Sequence, residues 1–504
     1  MLKRNLVANY IGQGWTALMG LAFIPLYIKF LGVEAFGLIA IFAVLQAFLS
    51  LLDVGMTPTL NREMARFRGG SHSALTIRDL LRSIEIVALG IAIFILLGIW
   101  FISSWLARDW VQSQSLSIKT IQNAFVVMGV VASFRFLEGI YRSAIIGLQH
   151  QVLFNVVSGA LSTMRSLGAV GILIWVSPTI SAFFIWQALV SALSFGIMLR
   201  ITYNLMPKAS RSGQFSRQSL REVQNFSGGM MGILLLALIL TQADKILLSK
   251  LLTLHDYGYY SLAAVVASAL YMLATPITTA WFPLLSTLHA QNKHEEFIEK
   301  YHQGAQLVSV IVGSSAIAII LFSKTLLEAW TNDNDLATKS GNLLSILALG
   351  NLLSALLWLP GQAQLAYGWT RLSIIVNIFA VIIFVPMIIS VTPLYGGEGA
   401  AWIWVLLNIG YILISIPLMH RRILKDEKWR WYLQDTAAPL LAGSFVGTCF
   451  FFLAPLDLSF YSKLIWLACV WAIILFVSAI AANKLRHSLM LSLSKFWLSY
   501  MRSK

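Results

Sequence analysis

The chain has 504 residues, 58% hydrophobic and 11% charged, against about 25% charged in an ordinary soluble domain. That composition excludes a water-soluble enzyme or binding domain and points to an all-α integral membrane protein. Lys plus Arg (36) exceeds Asp plus Glu (21) by 15, but the excess collects on one face of the membrane, so no nucleic-acid partner is implied.

Fourteen apolar segments are long enough to cross a bilayer: approximately 9–31, 36–57, 83–105, 120–142, 152–176, 180–202, 227–249, 259–283, 303–323, 340–363, 370–391, 398–419, 437–455 and 463–483. A spanning helix needs about 20 such residues. Lys3 and Arg4 precede the first segment as in a signal peptide, but the run reaches Leu31 and lacks a small-residue cleavage site, so it reads as an uncleaved span. Cys449 and Cys469 lie in separate apolar segments without CxxC spacing and are expected to be small core residues.

With the N-terminus inside, the connecting Lys and Arg residues divide 26 to 7 in favour of the cytoplasmic side. By the positive-inside rule both termini are therefore cytoplasmic. No outer connection exceeds about 16 residues, which leaves no room for the large outer loop of a membrane glycosyltransferase or polymerase.

An internal repeat is visible in three short matches. Asn9-Tyr-Ile-Gly12 pairs with Asn225-Phe-Ser-Gly228, Phe36-Gly37 with Tyr257-Gly258, and Thr57-Pro58 with Thr275-Pro276, at offsets of 216, 221 and 218. An even number of spans between copies makes the repeat parallel, about an axis along the membrane normal. The predicted architecture is two pseudo-symmetric six-helix lobes, 1–222 (spans 1–6) and 223–425 (spans 7–12), with spans 13 and 14 and a basic tail in 426–504. In that tail Leu489, Leu493, Phe496 and Tyr500 share one helical face opposite basic residues, the pattern of an interfacial helix on membrane lipid.

Charges inside spans are the candidate functional groups, since an arginine at bilayer depth costs roughly 2.5 to 3.5 kcal/mol. Arg165 falls near the midplane of the fifth span and Arg135 about two-thirds of the way across the fourth. Arg135, Glu138 and Arg142 recur at i, i+3 and i+7 on one face. There, an Arg135–Glu138 salt bridge that only locks helices is the alternative to a cavity role. Ser158, Ser162 and Ser166 form a small-xxx-small seam suited to packing. Asp244 and Lys245 are adjacent in the seventh span and point about 100° apart. Asp53 suits capping of the following helix, and Lys29 suits snorkelling outward. In span one Asn9, Gln13, Thr16, Gly20 and Tyr27 share a face that either lines a cavity or packs a core.

Enzymatic patterns fail. His294-Glu295 lacks the second histidine of HExxH, the TNDND run at 331–335 reads as a solvated turn, no P-loop is present, and all eight histidines fall in predicted connections. The deep charges lean cationic, Arg135, Arg165 and Lys245 against Glu138 and Asp244, which suits an anionic phosphate or pyrophosphate passenger.

The opening NYIGQGWTALMGLAFIPLYIKFLGVEAFGLIAIF with LLDVGMTPTLNREMAR, the central TQADKILLSKLLTLHDYGYYSLA and the later GGEGAAWIWVLLN resemble the polysaccharide transporters of the multidrug, oligosaccharidyl-lipid and polysaccharide exporter superfamily, O-antigen flippases especially. The resemblance runs nearly the whole chain. It implies alternating-access transport of an undecaprenyl-pyrophosphate-linked oligosaccharide across the bacterial inner membrane, with no bound cofactor, H⁺ or Na⁺ as coupling ion, and an O-antigen polymerase and chain-length regulator as candidate partners. A cationic cavity built from Arg165, Arg135 and Lys245 would receive the substrate, and Glu138, Asp244 and Asp53 are candidates for coupling or gating. A cation-coupled drug exporter is the alternative within the superfamily, and a membrane glycan polymerase or ligase the alternative outside it.

Overall fold

The computed structural model describes residues 2–53, 55–68, 70, 73–217, 238–239, 241–369, 371–455 and 459–486. Among them every regular element is helical, and one isolated parallel bridge, Gln112 to Thr253, is the sole extended pairing. This is the arrangement that hydrocarbon demands, because a helix satisfies its backbone polar groups within its own segment.

The chain packs as two compact units, Met1–Gly258 and Tyr259–Lys504. The first holds α1 (Leu2–Ala22), α2 (Ile24–Leu31), α3 (Val33–Leu49) with a 3₁₀ turn at Ser50–Asp53, α4 (Met56–Arg68), α5 (Ala74–Trp105), α6 (Ile118–Gly147), α7 (Gln151–Trp175) and α8 (Ile180–Leu205), then α9 over 241–251. α10 (Leu254–Ala290) begins there. The second unit contains α11 (His294–Thr331), α12 (Asn334–Leu356), α13 (Trp358–Ala366), α14 (Arg371–Arg422), the short α15 (Lys428–Arg430) with a π turn at Trp431–Ala437, α16 (Ala438–Phe452) and α17 (Phe460–Ala481). The expected lobe boundary at 222/223, the Asn225–Gly228 repeat match and the Leu489–Tyr500 face of the tail all lie outside the described residues.

Twelve of the described helical stretches are long and apolar enough to span a membrane. Two features separate that number from the expected fourteen. Segments 370–391 and 398–419 both fall in α14, interrupted only at Gly396, whose φ of 60° and ψ of −148° suit a residue without a Cβ. Segment 227–249 lies largely outside the described residues.

Polar side chains punctuate the helices. Ser73, Ser117, Thr179, Asp333 and Ser459 accept hydrogen bonds from first-turn amides of α5, α6, α8, α12 and α17. Asp333 belongs to the 331–335 run, which is thus a helix boundary, with Asp335 paired to Lys339 at 2.8 Å. Phe94, Phe101, Phe379, Phe445 and Phe476 are exposed, as rings facing lipid should be. Cys449 and Cys469 are exposed as well. Their expected core placement is corrected: glycines 443 and 447, on another face of α16, make the close contacts with α11, at Ile317 and Leu321. Spans 13 and 14 are thereby packed onto the second unit.

Within the first unit, repeat-related glycines close the crossing of α3 with the first turn of α10. A Cβ on Gly37 would stand 2.5 Å from the Leu254 carbonyl oxygen, and one on Gly258 would stand 2.4 Å from that of Val33. Residues 33 and 37 map onto 254 and 258 at the same offset of 221. The contact is therefore locally two-fold, each copy offering its glycine to the other's backbone. Alongside it, the Leu254 amide donates to the Gln112 carbonyl at 2.7 Å, and Trp110 Nε1 donates to Ser249 Oγ at 3.0 Å. The third repeat match does not superpose in this way. Thr57-Pro58 opens α4, where a proline costs no hydrogen bond, whereas Pro276 is interior to α10.

These approaches predict a measurable result. With Cys449 and Cys469 replaced by serine, Gln112→Cys and Thr253→Cys should cross-link on mild oxidation, since bridge-paired residues sit within disulfide range. Adding Gly258→Leu overpacks the crossing by about 1–3 kcal/mol and should cut the cross-linking yield about tenfold; an unchanged yield would mean that the crossing tolerates a side chain.

Candidate functional site

Arg135 projects from the middle of α6 into the interior of the first unit. Its Nη1 donates to Gln46 Oε1 of α3 at 2.6 Å and its Nη2 to Gln187 Oε1 of α8 at 3.1 Å. The Phe42 ring lies 5.5 Å from its Cζ, within cation–π range. Its Nε is buried without a partner. The anticipated Arg135–Glu138 salt bridge does not form: the guanidinium is held by two neutral carboxamides, which orient it without cancelling its charge.

Arg165, on α7, is half-buried. Its Nε too is buried without a partner, and among the described residues no group accepts a hydrogen bond from its guanidinium. It lies in electrostatic range of Glu138 and Tyr27. Glu138, half-buried on α6, is in range of Arg165, Arg135 and Arg142 but makes no direct ion pair among the described residues. Arg142 is exposed at the end of this face, its Cζ 5.3 Å from the Phe154 ring. The face expected from the i, i+3, i+7 spacing is therefore real, and it supplies one carboxylate to two half-buried arginines.

A cavity of about 230 Å³ opens beside Arg135, lined also by Gln46, Ser50, Asp53, Thr57, Phe136 and Gly139. Asp53 and Arg135, far apart in sequence, thus share one space. Asp53 accepts hydrogen bonds from the Thr57 amide at 3.1 and 3.3 Å and from the Thr57 hydroxyl. It caps α4, the role its sequence context favoured.

Lys245 and Asp244 do not join that lining. Lys245, half-buried on α9, donates to the Thr241 carbonyl at 3.3 Å and to Gln242 Oε1 at 3.4 Å, both within its own helix. Asp244 beside it is half-buried. Lys29 is exposed at the end of α2.

The polar face of span one divides. Gln13, Thr16 and Gly20 are exposed, while Tyr27 is buried with its hydroxyl donating to the Ser166 carbonyl at 3.4 Å; the Asn9 side chain lies outside the described set. The serine seam of α7 packs as anticipated. Ser162 and Ser166 are buried, and Ser166 Oγ donates to the Met19 carbonyl of α1 at 3.2 Å. A Cβ on Gly12 would meet Asn155 at 2.6 Å, so α1 and α7 touch closely at that level.

Two residues escaped the sequence reading, Gln46 and Gln187. Each is a lone amide in an apolar helix, and only a match between amide depth and arginine depth could have signalled them. The histidine reading also needs correction. His302 and His420 lie inside α11 and α14, at 0% and 1% exposure, rather than in connections.

Residues 2–289 match the pattern of the polysaccharide biosynthesis protein family, and residues 230–389 match that of the MatE family. A Shigella flexneri protein described as an O-antigen transporter is 23% identical over 405 residues, covering 80% of this chain and 93% of its own. The fold matches that of the lipid II flippase MurJ in an inward closed conformation, with a TM-score of 0.69 at 13% identity over 94% of this chain and 98% of the flippase. An inward-facing multidrug MATE transporter matches with a TM-score of 0.66 at 14% identity, over 81% and 94%.

The carboxamide and cap assignments make separable predictions. Gln187→Ala should lower the detergent-solubilised protein's unfolding free energy by about 1–3 kcal/mol, because it strips an acceptor from a buried guanidinium. Asp53→Ala should cost about 1 kcal/mol and Asp53→Asn much less, since asparagine still caps. Equal losses for both Asp53 variants would tie the carboxylate charge to something other than the cap.

Proposed function

The chain belongs to the polysaccharide biosynthesis protein family of the multidrug, oligosaccharidyl-lipid and polysaccharide exporter superfamily, and we propose that it is a flippase carrying an undecaprenyl-pyrophosphate-linked oligosaccharide across the bacterial inner membrane. The observation that carries the reading is the state of its two half-buried arginines, each with a buried, unpartnered Nε. Arg165 has no hydrogen-bonded partner among the described residues, and Arg135 has only amides. Two guanidiniums so placed retain a demand for an anion, and a pyrophosphate accepts paired hydrogen bonds from each.

The cavity at Arg135, about 230 Å³, is smaller than the roughly 300–1,000 Å³ of a drug-sized site. It suits a headgroup phosphate, with the sugars and the lipid tail elsewhere. The 26 to 7 bias of Lys and Arg supports an orientation with both termini and Arg142 on the cytoplasmic side. Loading there and release outside follow from alternating access of the two six-span lobes. An H⁺ or Na⁺ gradient is the proposed drive, with Glu138, Asp244 and Asp53 as candidate coupling groups and Lys245 as a further cation for the substrate. A glycan polymerase and a chain-length regulator are the partners such a product would meet.

The MatE match over 230–389 favours a second reading, a cation-coupled drug exporter. A cationic drug would have to enter an interior with two half-buried arginines, against Glu138 and an Asp53 already engaged by Thr57, so the flippase reading is preferred.

In a strain lacking the gene, the native chain should restore surface O-antigen. Arg165→Ala should reduce that restoration at least about tenfold at equal protein level, the loss expected for a charge-assisted hydrogen bond; Arg165→Lys should recover part of it. Full restoration by Arg165→Ala removes the residue from the mechanism, and drug resistance without a glycan defect would favour the exporter.

A further inference from the structure

The second unit holds a buried titratable cluster that the proposed transport does not use. His302, two turns into α11 and 0% exposed, sits between two carboxylates. Its Nδ1 meets Asp435 Oδ2, and its Nε2 meets Glu427 Oε2 at 2.9 Å. Asp435, also 0% exposed, lies in the π turn ahead of α16 and takes a second hydrogen bond from Gln306 Nε2 at 2.9 Å. Glu427 also accepts from Arg430 Nη1 at 3.3 Å. Gln306 in turn accepts the Lys484 backbone amide at 2.8 Å, just beyond the end of α17. Both ends of the α16–α17 pair are thereby tied to one turn of α11.

Counting hydrogens shows what holds the tie together. A neutral imidazole has one N–H and one lone pair, and a lone pair facing a carboxylate oxygen is repulsive. Two imidazole–carboxylate contacts therefore require one proton more than the neutral ring and two carboxylates supply. Arg430 answers Glu427, but no cation besides the imidazolium itself touches Asp435 among the described residues. The other titratable groups around the ring do not supply that proton. Tyr301 and His420 face each other at 3.3 Å, with His420 Nδ1 on the Ile416 carbonyl, and Tyr432 donates to the Ile412 carbonyl. Lys428 sits 4.6 Å from the Trp429 ring. Glu427, at 20% side-chain exposure, connects the cluster to the surface.

We propose that His302, Asp435 and Glu427 form a proton-binding site whose occupancy fastens the segment 427–437, and with it the α16–α17 pair, to α11. The bound proton completes both bonds of the ring. Its loss turns one bond into a repulsion and loosens the segment. π turns recur at functional positions in helices, and here the π turn is what presents Asp435 to the ring. The proposal is independent of the cargo, because it concerns only this cluster and its segment.

Hydrogen exchange by mass spectrometry on the full-length protein in detergent, corrected for intrinsic rates, tests it. From about pH 6 to about pH 9, protection of peptide 427–437 should fall about tenfold in the native chain. Asp435→Asn should stay protected throughout, because the asparagine amide can donate to an unprotonated Nδ1 while Nε2–H still reaches Glu427. His302→Gln should be unprotected at both ends of the range. The proposal is overturned if native protection is independent of pH, if Asp435→Asn follows the native pH dependence, or if Asp435→Asn loses protection globally. None of these readouts involves a glycan, so they stand apart from the cargo assignment.

Discussion

A buried arginine in a helical membrane protein needs hydrogen-bond acceptors, and the chemical kind of acceptor decides what charge remains. At Arg135 the acceptors are the carboxamides of Gln46 and Gln187. A carboxylate there would have neutralised the site and reduced it to a clamp between helices. Amides position the fork of the guanidinium while leaving its field intact, so α3, α6 and α8 meet around a net positive charge. Arg165 adds a second charge in range of Glu138, while Asp53, which lines the cavity at Arg135, is engaged by Thr57. The electrostatic character of the first unit follows from this arrangement.

Close backbone approaches hold the surrounding helices. Gly12 against Asn155, with Ser166 bonded to the Met19 carbonyl, sets α1 on α7 and fixes the level at which Arg165 enters. Gly37 and Gly258 perform the same service for α3 and the start of α10. In lipid there is little hydrophobic gain from helix association, so contacts that let backbones touch carry much of the packing. The second unit follows the same rule at Gly443 and Gly447, then adds a polar fastening at His302 that no small-residue contact could provide.

Much of this was legible in the chain. Fourteen apolar runs and a 26 to 7 division of basic residues are local or additive properties, readable without contacts. Arg135 and Arg165 stood out because a charge within twenty apolar residues is conspicuous wherever the helix ends up. Gln46 and Gln187 did not, because a lone amide in a span is unremarkable until it meets a guanidinium 89 or 52 residues away. His302 was misplaced for a related reason. The polar run around 294–303 looks like a connection, yet α11 starts at His294 and carries the ring two turns inward.

The sequence by itself determined the solvent this protein folds in, the helices it must form there and the sign of the charge it carries inside, since length, hydropathy and composition are enough to set each of these. Only the tertiary structure decided which of those charges are spent on partners and which are kept. Partner choice depends on residues from separate spans arriving at the same depth and facing the same way: Glu138 near two arginines but bonded to neither, Asp53 turned to the amide of Thr57, and Asp435 to a histidine 133 positions before it. Pairings at that separation leave no local trace, because nothing in either stretch of chain requires the other.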